Sequence, residues 1–536
     1  MPVVLRQSTD LPGEGSFERW CAAGAAGAGP DVSPKVEDLA GRLEGAFEAI
    51  RERWWELGRL LSVTPSAELA HMPTCGTYSS DFGVMLAWAR LVDVLAAATP
   101  STLVVCDDPW LFRHLAARPG VSAGKPPGLW IKTMTLRLRG FLARCRATAR
   151  LVATALATRC IKATRGTGEA VLIVFGHPDS GAGTDAYFGG LMKEMPELER
   201  LTHTDCPAAR ALELGSDGRT ASLHAWGAPL KALGLPFARW RPSSQDLSHP
   251  EGWLIRRAAE VEGSGGSGAM NRWQFDCQEA WLAAVRPAAI AWPWENHPWE
   301  RALVREARKR GIRTVGHQHT VIGPHMYNQS PASNPDGIDG LPNLIVCNGP
   351  AYAHNLADWG VPEDRLAIGG ALRQAGPRPL AHDPGGPVFV ALSSNRGFSE
   401  QMLAAMESLD RPWRFLVKEH PMYPHPFAET EKVGRTETPL QDQDCLAGVL
   451  YSTGTVGLEA LLGGLPTLRF RPEGAVAMDI LPPGLKARPV DAGTLAEALK
   501  ALEKPKPLSW DAVLAPPDFE VWKQALSSSD EGSFCA

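Results

Sequence analysis

A hydroxyl-rich turn in the C-terminal part of the chain has the clearest potential for chemistry. The sequence YSTGTVGLEAL (451–461) follows an apolar run at 447–451, which predicts a buried strand leading into a helix that begins near residue 455. Free backbone N–H groups and the dipole at such a helix start favour a bound anion, such as a diphosphate or a phosphodiester. The residues predicted to bind this anion are Ser452, Thr453, Gly454 and Thr455. Glu459, one turn into the helix, is predicted to accept hydrogen bonds from ribose hydroxyls; plain helix capping is the alternative interpretation of the hydroxyl residues.

A lysine and a histidine lie at the carboxyl end of the strand predicted at 414–418 (RFLVK), in the segment K-E-H-P. Side chains at the carboxyl end of a strand can face a cleft, so Lys418 and His420 are both candidates for phosphate contacts. His420 could donate a hydrogen bond to a phosphate oxygen, or protonate that oxygen as its bond to the transferred group breaks. A structural role is the alternative for a single histidine.

A third polar segment follows the strand predicted at 388–392 (VFVAL). Its residues are Ser393, Ser394 and Asn395. They are predicted to approach the phosphate or the sugar of a nucleotide, and the alternative is an ordinary loop between a strand and a helix.

Transfer to a hydroxyl group needs a side chain that takes the hydroxyl proton. Each of three predicted strands is followed by such a candidate: Glu295 after 288–294, His319 after 312–318 and Asp185 after 170–176. We favour them as the base in that order. For each of them the alternative is a capping residue, or a polar residue satisfied in the core.

The sequence offers no convincing metal site. His317 and His319 form an H-x-H pair, but no carboxylate at a suitable spacing completes a set of ligands. No D-x-D motif lies in a persuasive loop. We therefore predict a metal-independent reaction without a cofactor, in which the phosphate compound is itself a substrate.

Two series of alternating strands and helices must position these residues, at 169–373 and 387–515. The alternation predicts an α/β fold with two doubly wound, Rossmann-type domains that face a cleft. The Pro- and Gly-rich segment 374–386 is predicted to be the hinge between them. The segment 262–270 (EGSGGSGAM) is predicted to be a flexible loop.

The rest of the chain predicts an accessory region. Residues 1–34 are predicted to be loose, and 35–168 to form an α-rich α/β unit with a helix at 35–63 and a strand at 102–106. Residues 516–536 are predicted to form a C-terminal helix and tail, and the helix is expected to cross back to the first Rossmann-type domain.

A basic amphipathic helix is predicted at 125–165, where ten lysines and arginines alternate with apolar residues. No Asp or Glu occurs between Asp108 and Glu169. Such a helix can lie on an anionic membrane face, with its basic side chains reaching the phosphates. The alternative is a solvated helix that packs one face on its own domain.

The composition excludes several classes of protein. The net charge of −5 over 536 residues gives no basic field for nucleic acid. The ten cysteines include no C-x-x-C pair, which argues against a disulfide framework and favours a reducing cytosol. The N-terminus lacks the pattern of a secretory signal, and no uncharged apolar run is long enough to span a membrane. We therefore expect a cytoplasmic protein, peripheral to the inner face of the cytoplasmic membrane if the basic helix binds there.

The K-E-H-P segment and the later YSTGTVGLEALLGGLP (451–466) resemble the C-terminal domain of bacterial surface-polysaccharide glycosyltransferases of the GT-B type. They are similar to capsule and lipopolysaccharide enzymes that transfer Kdo or sialic acid from CMP-sugars, in which an H-P motif and an S-S/T turn hold the CMP. The resemblance implies that CMP contacts His420, Ser452, Thr453 and Thr455. Looser similarity to a family described as surface carbohydrate biosynthesis proteins occurs at 54–55, 185–189, 295–300 and 316–319.

The resemblance implies a glycosyltransferase that moves a sugar from a CMP-linked donor to a growing glycan or a lipid-linked glycan. The acidic D/E-D/E-G motif, which holds the base in sialyltransferases, has only faint counterparts at 336–337 and 339–340. Three other functions fit the same pattern: a CDP-glycerol-dependent polyol-phosphate transferase, a nucleotide-sugar 2-epimerase, and a non-catalytic membrane scaffold of a polysaccharide assembly complex.

Overall fold

Short apolar runs, most of them bounded by polar or glycine-containing turns, form the strands of three parallel β-sheets in the computed structural model. We call the units built on these sheets the N-terminal, middle and C-terminal lobes. The structure describes residues 2–13, 17–24, 30, 34–62, 67–69, 80–162, 169–373, 376, 379–410, 413–421, 423–506 and 508–527.

The N-terminal lobe has a four-stranded sheet in the order β2-β3-β1-β4. Its strands are β1 (Val3–Arg6), β2 (Arg19–Ala23), β3 (Thr102–Cys106) and β4 (Val121–Ala123). Its helices are α1 (Leu39–Ala49), α2 (Arg51–Ser62), α3 (Phe82–Ala96) and α4 (Pro109–Ala116). The prediction that 1–34 is loose is wrong for β1 and β2, because their alternating pattern buries Val3, Leu5 and Cys21 in the core beneath α1 and α3. The helix predicted at 35–63 is two helices that meet at Ile50.

The middle lobe has a seven-stranded sheet in the order β11-β10-β9-β8-β5-β6-β7. Its strands are β5 (Ala170–Val174), β6 (Glu199–Thr202), β7 (Thr220–Ser222), β8 (Ala289–Pro293), β9 (Arg313–Gln318), β10 (Leu344–Cys347) and β11 (Leu366–Ile368). Its helices are α5 (Leu129–Ala157), α6 (Leu191–Glu194), α7 (Ala208–Gly215), α8 (Ser244–Ser248), α9 (Gly252–Glu262), α10 (Ser267–Val285), α11 (Pro298–Arg308) and α12 (Pro350–Asp358).

Two features of the middle lobe differ from expectation. The basic helix, predicted to belong to the accessory region, is α5, and its Leu151 and Ala155 lie in the core of the middle lobe. The loop predicted at 262–270 is short, since α9 ends at Glu262 and α10 begins at Ser267. The packing of Trp273 and Trp281 in the core holds α10 in place despite the nearby glycines.

The C-terminal lobe has a six-stranded sheet in the order β14-β13-β12-β15-β16-β17. Its strands are β12 (Val388–Ala391), β13 (Phe415–Lys418), β14 (Val433–Arg435), β15 (Gly448–Tyr451), β16 (Thr467–Phe470) and β17 (Arg488–Val490). Its helices are α13 (Arg396–Glu407), α14 (Val456–Leu462) and α15 (Leu495–Lys500). The final helix, α16 (Phe519–Leu526), packs on the middle lobe, which is the predicted crossing back to the first Rossmann-type domain. Its Trp522 is fully buried there.

Both larger sheets are wound in the same way. Each starts with a central strand (β5 or β12), adds two strands on one side and then continues on the other side from β8 or β15. This is the doubly wound arrangement of nucleotide-binding folds, in which ligands bind where the winding reverses, at the carboxyl ends of the strands. Two such lobes facing a cleft form a GT-B-like architecture, and the predicted fold class is confirmed.

Part of the predicted hinge between the middle and C-terminal lobes is fixed to the C-terminal lobe. Residues 379–386 pack against the C-terminal lobe: the amide of Leu380 donates a hydrogen bond to the carbonyl of Gly463 (2.9 Å), and His382 pairs with Leu446. Of the predicted hinge at 374–386, residues 374, 375, 377 and 378 lie outside the described residues.

An ion-pair network around the buried side chains of Arg469 and His325 joins the three lobes. Arg469 of β16 contacts Glu44 of α1 and lies 3.6 Å from Asp479, while His325 of the middle lobe lies 3.2 Å from Glu48. The amide of Asp479 donates a hydrogen bond to Nδ1 of His325 (2.9 Å). Glu44, Glu48 and His325 are spaced closely enough to hold a metal ion, but the Arg469 guanidinium already supplies a positive charge to this carboxylate cluster. None of the described helices combines the length and apolar character that crossing a membrane requires.

His224 should make the stability of the middle lobe sensitive to acid. This buried ring accepts a hydrogen bond from Trp273 Nε1 (3.1 Å) and donates one to the carbonyl of Thr204 (2.9 Å), and burial lowers its pKa from 6.5 to about 4. The unfolded chain therefore takes up this proton between pH 6.5 and 4 while the folded chain does not, so stability is complete above pH 6.5 and falls as the pH drops. We expect His224 to account for about 3 kcal/mol of that fall.

Urea unfolding followed by tryptophan fluorescence at pH 7 and at pH 4.5 tests this expectation. The His224→Gln chain should lose less stability on acidification than the unaltered chain, and His354→Gln, at an exposed position, is the matched control. An identical pH dependence in all three chains would show that His224 does not carry the effect.

Candidate functional site

The candidate site lies where the winding of both larger sheets reverses. In the middle lobe, β5 and β8 are neighbours and are followed by 175–179 and 294–297. In the C-terminal lobe, β12 and β15 are neighbours and are followed by 392–395 and the turn 452–455. Residues from all four of these segments line one cavity of about 590 Å³ between the lobes. The predicted cleft is therefore present, with both reversal points at its walls.

Glu295 lies in the wall formed by the middle lobe. Its carboxylate is 2.6 Å from Nε2 of His297 and 3.5 Å from Nε2 of His319. Burial raises the pKa of Glu295, but the hydrogen bond from His297 and the charges of the two imidazoles outweigh it and lower the pKa to about 2. Burial also lowers the pKa of His319, to about 4. At neutral pH the carboxylate of Glu295 is therefore ionised, and it can accept a proton.

The loop that carries Glu295 is held by Glu300, in the first turn of α11. The buried Glu300 carboxylate accepts hydrogen bonds from Trp292 Nε1 (2.8 Å) and from the backbone amides of Glu295, Asn296 and His297 (3.0–3.2 Å). Asn296 has a positive φ of 59°, which this set of bonds stabilises. Glu300 is therefore a positioning residue for Glu295.

The other two candidates for the base lie behind the cavity wall. His319 is 8% exposed, packs edge-on against Tyr187, and faces a separate small cavity of about 90 Å³. Asp185 is buried; its carboxylate accepts hydrogen bonds from Ser180 Oγ (2.9 Å) and from the amide of Tyr187 (2.8 Å). The prediction of Asp185 as a base is wrong, because these bonds use its oxygens to hold a turn.

In the opposite wall, Lys418 ends β13, His420 lies two residues beyond it, and both line the cavity. The amide of Tyr423 donates to Nδ1 of His420 (3.2 Å), so the proton of the neutral ring is on Nε2. Burial lowers the pKa of His420. The ammonium of Lys418 donates to the carbonyl of Glu437 (2.5 Å), which uses one of its three protons. Glu419, the neighbouring carboxylate, pairs with Arg435.

The hydroxyl-rich turn divides into buried and cavity-lining residues. Ser452 is fully buried and donates to the carbonyl of Phe470 (3.1 Å), so the prediction that it binds the anion is wrong. Thr453, Gly454 and Thr455 line the cavity, and φ of Gly454 is 155°, which favours glycine. No described residue accepts a hydrogen bond from the backbone amides of 454–456. These amides are donors left at the cavity wall.

Glu459 also lines the cavity. Its carboxylate accepts hydrogen bonds from Thr455 Oγ1 (3.2 Å) and from Gln441 Nε2. Burial raises the pKa of Glu459, and Thr455, Arg373 and Gln441 oppose this rise.

Of the three polar residues after β12, only Ser394 lines the cavity. Ser393 is buried, and its Oγ accepts a hydrogen bond from the amide of Asn395 (3.1 Å). Asn395 caps α13 through the amide of Phe398 (3.3 Å). Ser393 and Asn395 therefore have the structural roles that we gave as the alternative.

Arg373 is a cavity residue that sequence reasoning missed. Its guanidinium lies 5.0 Å from the ring centroid of Tyr187, and it forms no ion pair with a described carboxylate. Arg373 also lines the two smaller cavities beside the main one. Its place just after β11, at the carboxyl edge of the sheet, is the signal in the sequence, but the adjoining Pro- and Gly-rich segment is typical of a flexible link.

His177 is the second residue that was missed. It follows β5, lines the cavity, and lies 3.5 Å from the exposed carboxylate of Asp179 and edge-on to Tyr187. A polar residue directly after the first strand of a doubly wound sheet is at the reversal point, and this position could have identified it.

Comparison with known proteins gives partial likenesses in fold. A kitacinnamycin glycotransferase structure matches 68% of this chain and 94% of its own, with 15% identity and a TM-score of 0.35. UDP-GlcNAc 2-epimerase of Methanocaldococcus jannaschii, in complex with UDP-GlcNAc and UDP, matches 67% of this chain and 99% of its own, with 11% identity and a TM-score of 0.36. The lipopolysaccharide outer core galactosyltransferase WaaB matches 67% and 94%, with 9% identity and a TM-score of 0.31. No family model matches the sequence, and neither does any curated protein.

Proposed function

We propose that this chain is a glycosyltransferase that uses a nucleotide-sugar held between its middle and C-terminal lobes. The observation that carries the proposal is the chemistry of the two cavity walls. One wall has an ionised carboxylate, Glu295, fixed by His297. The other has Lys418, His420 and backbone amides of the turn after β15 that donate to no described residue. A base facing a set of phosphate donors is what transfer from a phosphate-linked sugar requires.

The nucleotide would lie on the C-terminal lobe. Backbone amides at the turn, the Lys418 ammonium and Nε2–H of His420 are donors suited to phosphate oxygens. Glu459 offers acceptor oxygens for ribose hydroxyls. Arg373 approaches from the middle lobe, where its planar guanidinium can bind two phosphate oxygens at once.

The acceptor would enter from the middle lobe. As its hydroxyl oxygen bonds to the anomeric carbon of the donor sugar, Glu295 takes the hydroxyl proton, and the bond from that carbon to the phosphate oxygen breaks. The electron pair of the broken bond remains on the phosphate. Arg373, Lys418 and His420 would stabilise this developing negative charge.

For the donor we propose a CMP-sugar carrying Kdo or another nonulosonic acid, and for the acceptor a bacterial surface glycan or its lipid-linked precursor. Support comes from the H-P segment and the S-T-G-T turn, because both motifs contribute residues to the cavity. This reaction uses groups of the protein and needs no metal ion.

Thermal-shift measurements with CMP, CDP, UDP and GDP test the donor site. A ligand that binds only the folded chain at 100 times its Kd stabilises it by about 2.7 kcal/mol, so at least one nucleotide should raise the Tm. We expect CMP to give the largest shift, and His420→Ala to reduce it because one phosphate donor is lost. His425→Ala, outside the set of cavity-lining residues, is the matched control.

The proposal fails if no nucleotide shifts the Tm, as expected for a scaffold without a nucleotide site. Product analysis separates the remaining functions. Release of CMP with a gain in acceptor mass identifies sugar transfer, release of CMP from CDP-glycerol identifies polyol-phosphate transfer, and an epimerised nucleotide-sugar formed without acceptor identifies an epimerase.

A further inference from the structure

Helix α5 presents an apolar face to solvent. Trp130 is 74% exposed and Leu138 63% exposed, although large apolar side chains are normally buried. The exposed apolar residues of the helix's first four turns are Trp130, Ile131, Met134, Leu138, Phe141 and Leu142. At 100° per residue they lie within an arc of about 120°, so they form one continuous stripe. The opposite side of α5, with Leu136 and Leu151, packs on the middle lobe.

A second element extends this stripe. The 3₁₀ helix Lys231–Phe237 packs beside α5, and the rings of Phe237 and Phe141 lie 5.8 Å apart. Leu230 and Leu233 are 82% and 75% exposed. Two segments that are about 100 residues apart in the chain therefore contribute to the same apolar patch, which is unusual for a surface facing only water.

A row of cations borders the stripe. Lys132, Arg139, Arg146 and Arg150 are exposed, lie at about 160–200° around α5 from Trp130, and form no ion pair with a described carboxylate. In contrast, Arg137 and Arg144 on the other border face the protein. Arg137 pairs with Glu260, and Arg144 donates to the carbonyls of Pro236 and Gly263.

We infer that this patch, made of the stripe, the 230–237 segment and the basic row, docks the protein on an anionic lipid surface. The charge pattern selects this occupant. A second protein that covered the stripe would also have to neutralise a separate row of cations, whereas a bilayer interface supplies both an apolar layer and a plane of phosphates. Trp130, at the start of α5, suits the headgroup depth because its ring is apolar and its N–H is polar. The inference is independent of the proposed reaction.

Flotation of the full chain with phosphatidylcholine vesicles, with and without phosphatidylglycerol, tests the inference. We expect binding to the anionic vesicles that weakens with added salt. Arg139→Gln with Arg146→Gln should lower the partition coefficient about 30-fold, because each cation near an anionic surface contributes about 1 kcal/mol. Trp130→Ser with Leu138→Ser should lower it by at least about tenfold, because two large apolar side chains can no longer be buried in the lipid.

All four positions are exposed, so the variants should fold. Lys486→Gln with Arg488→Gln removes the same charge from the exposed surface of the C-terminal lobe and should bind vesicles like the unaltered chain. The inference is overturned if the chain does not float with anionic vesicles, or if the α5 variants bind no more weakly than this control. Dimerisation of the chain through the patch, without binding to vesicles, would also overturn the inference.

Discussion

Replacing Arg373 by alanine should lower kcat for sugar transfer by about 100- to 1000-fold, the range found when one group that stabilises transition-state charge is removed. Arg373 lines the cavity between the lobes and forms no ion pair with a described carboxylate. Its charge is therefore available to the leaving phosphate. Steady-state release of the nucleotide, measured with the donor identified by thermal shift, gives the ratio.

Two variants make this test specific. Arg373→Lys keeps the charge but loses the planar fork, so its activity should fall between those of the unaltered chain and Arg373→Ala. Arg488→Ala removes an exposed arginine elsewhere in the structure and should have no effect on kcat. If Arg373→Ala retains full activity, the guanidinium does not act on the leaving group, and the phosphate contacts must be confined to the C-terminal lobe.

Glu295→Gln should lower kcat by about 100- to 10,000-fold, the contribution of a positioned general base. An amide cannot take the hydroxyl proton, but its oxygen can still accept the hydrogen bond from His297, which is 2.6 Å from the carboxylate. The loop should therefore keep its shape. Affinity for the nucleotide should remain unchanged, since Glu295 lies on the wall opposite the phosphate donors, and calorimetry can check this separately from turnover.

The pH profile gives a second measure of the same residue. The pKa of Glu295 is lowered to about 2, so the carboxylate stays ionised, and able to act as a base, down to a pH near that value. Any acid limb of kcat/KM between pH 5 and 8 must then come from another group.

Asp185→Asn is the matched control for Glu295→Gln. It should reduce stability, because Asp185 holds a turn, while the folded fraction keeps its kcat. Equal kcat in Glu295→Gln and the unaltered chain would exclude Glu295 as the base.

The sequence was sufficient to predict the elements that position the site. Fully apolar runs such as 170–174 and 448–451 are typical of strands that are buried on both faces of a parallel sheet. The polar residues that follow such strands are expected to lie together at one edge of the sheet. For this reason Glu295, Lys418, His420 and Glu459 were assigned to the cleft from sequence, and the structure places all four at the cavity.

The errors have a common physical origin. Ser452, Ser393 and Asp185 have polar side chains and follow predicted strands. Their hydrogen bonds within the protein hold these side chains away from the cavity, and the spacing of residues in the sequence does not predict those bonds. Arg373 and His177, in contrast, line the cavity although the sequence analysis did not predict it. Each is a single polar residue in an unremarkable context, and only the meeting of two lobes makes it part of a site.

Local sequence patterns also do not predict which lobe an element joins when its partners are distant in the chain. Helix α5 precedes the first strand of the middle lobe and was grouped with the N-terminal region, yet the burial of Leu151 and Ala155 assigns it to the middle lobe. Strands β1 and β2 are short and flanked by glycine-rich segments, so composition suggested a loose segment. Their pairing with β3, which is about 80–100 residues away, stabilises them.

Hydrogen–deuterium exchange with and without the nucleotide that gives the largest thermal shift tests the central claim most directly. We expect protection in peptides that cover 415–423 and 448–459, which carry the phosphate donors and Glu459, and in the segment around 294–297 on the facing wall. Protection confined to the N-terminal lobe or to outer surfaces, with these cleft peptides unchanged, would contradict a nucleotide site between the lobes.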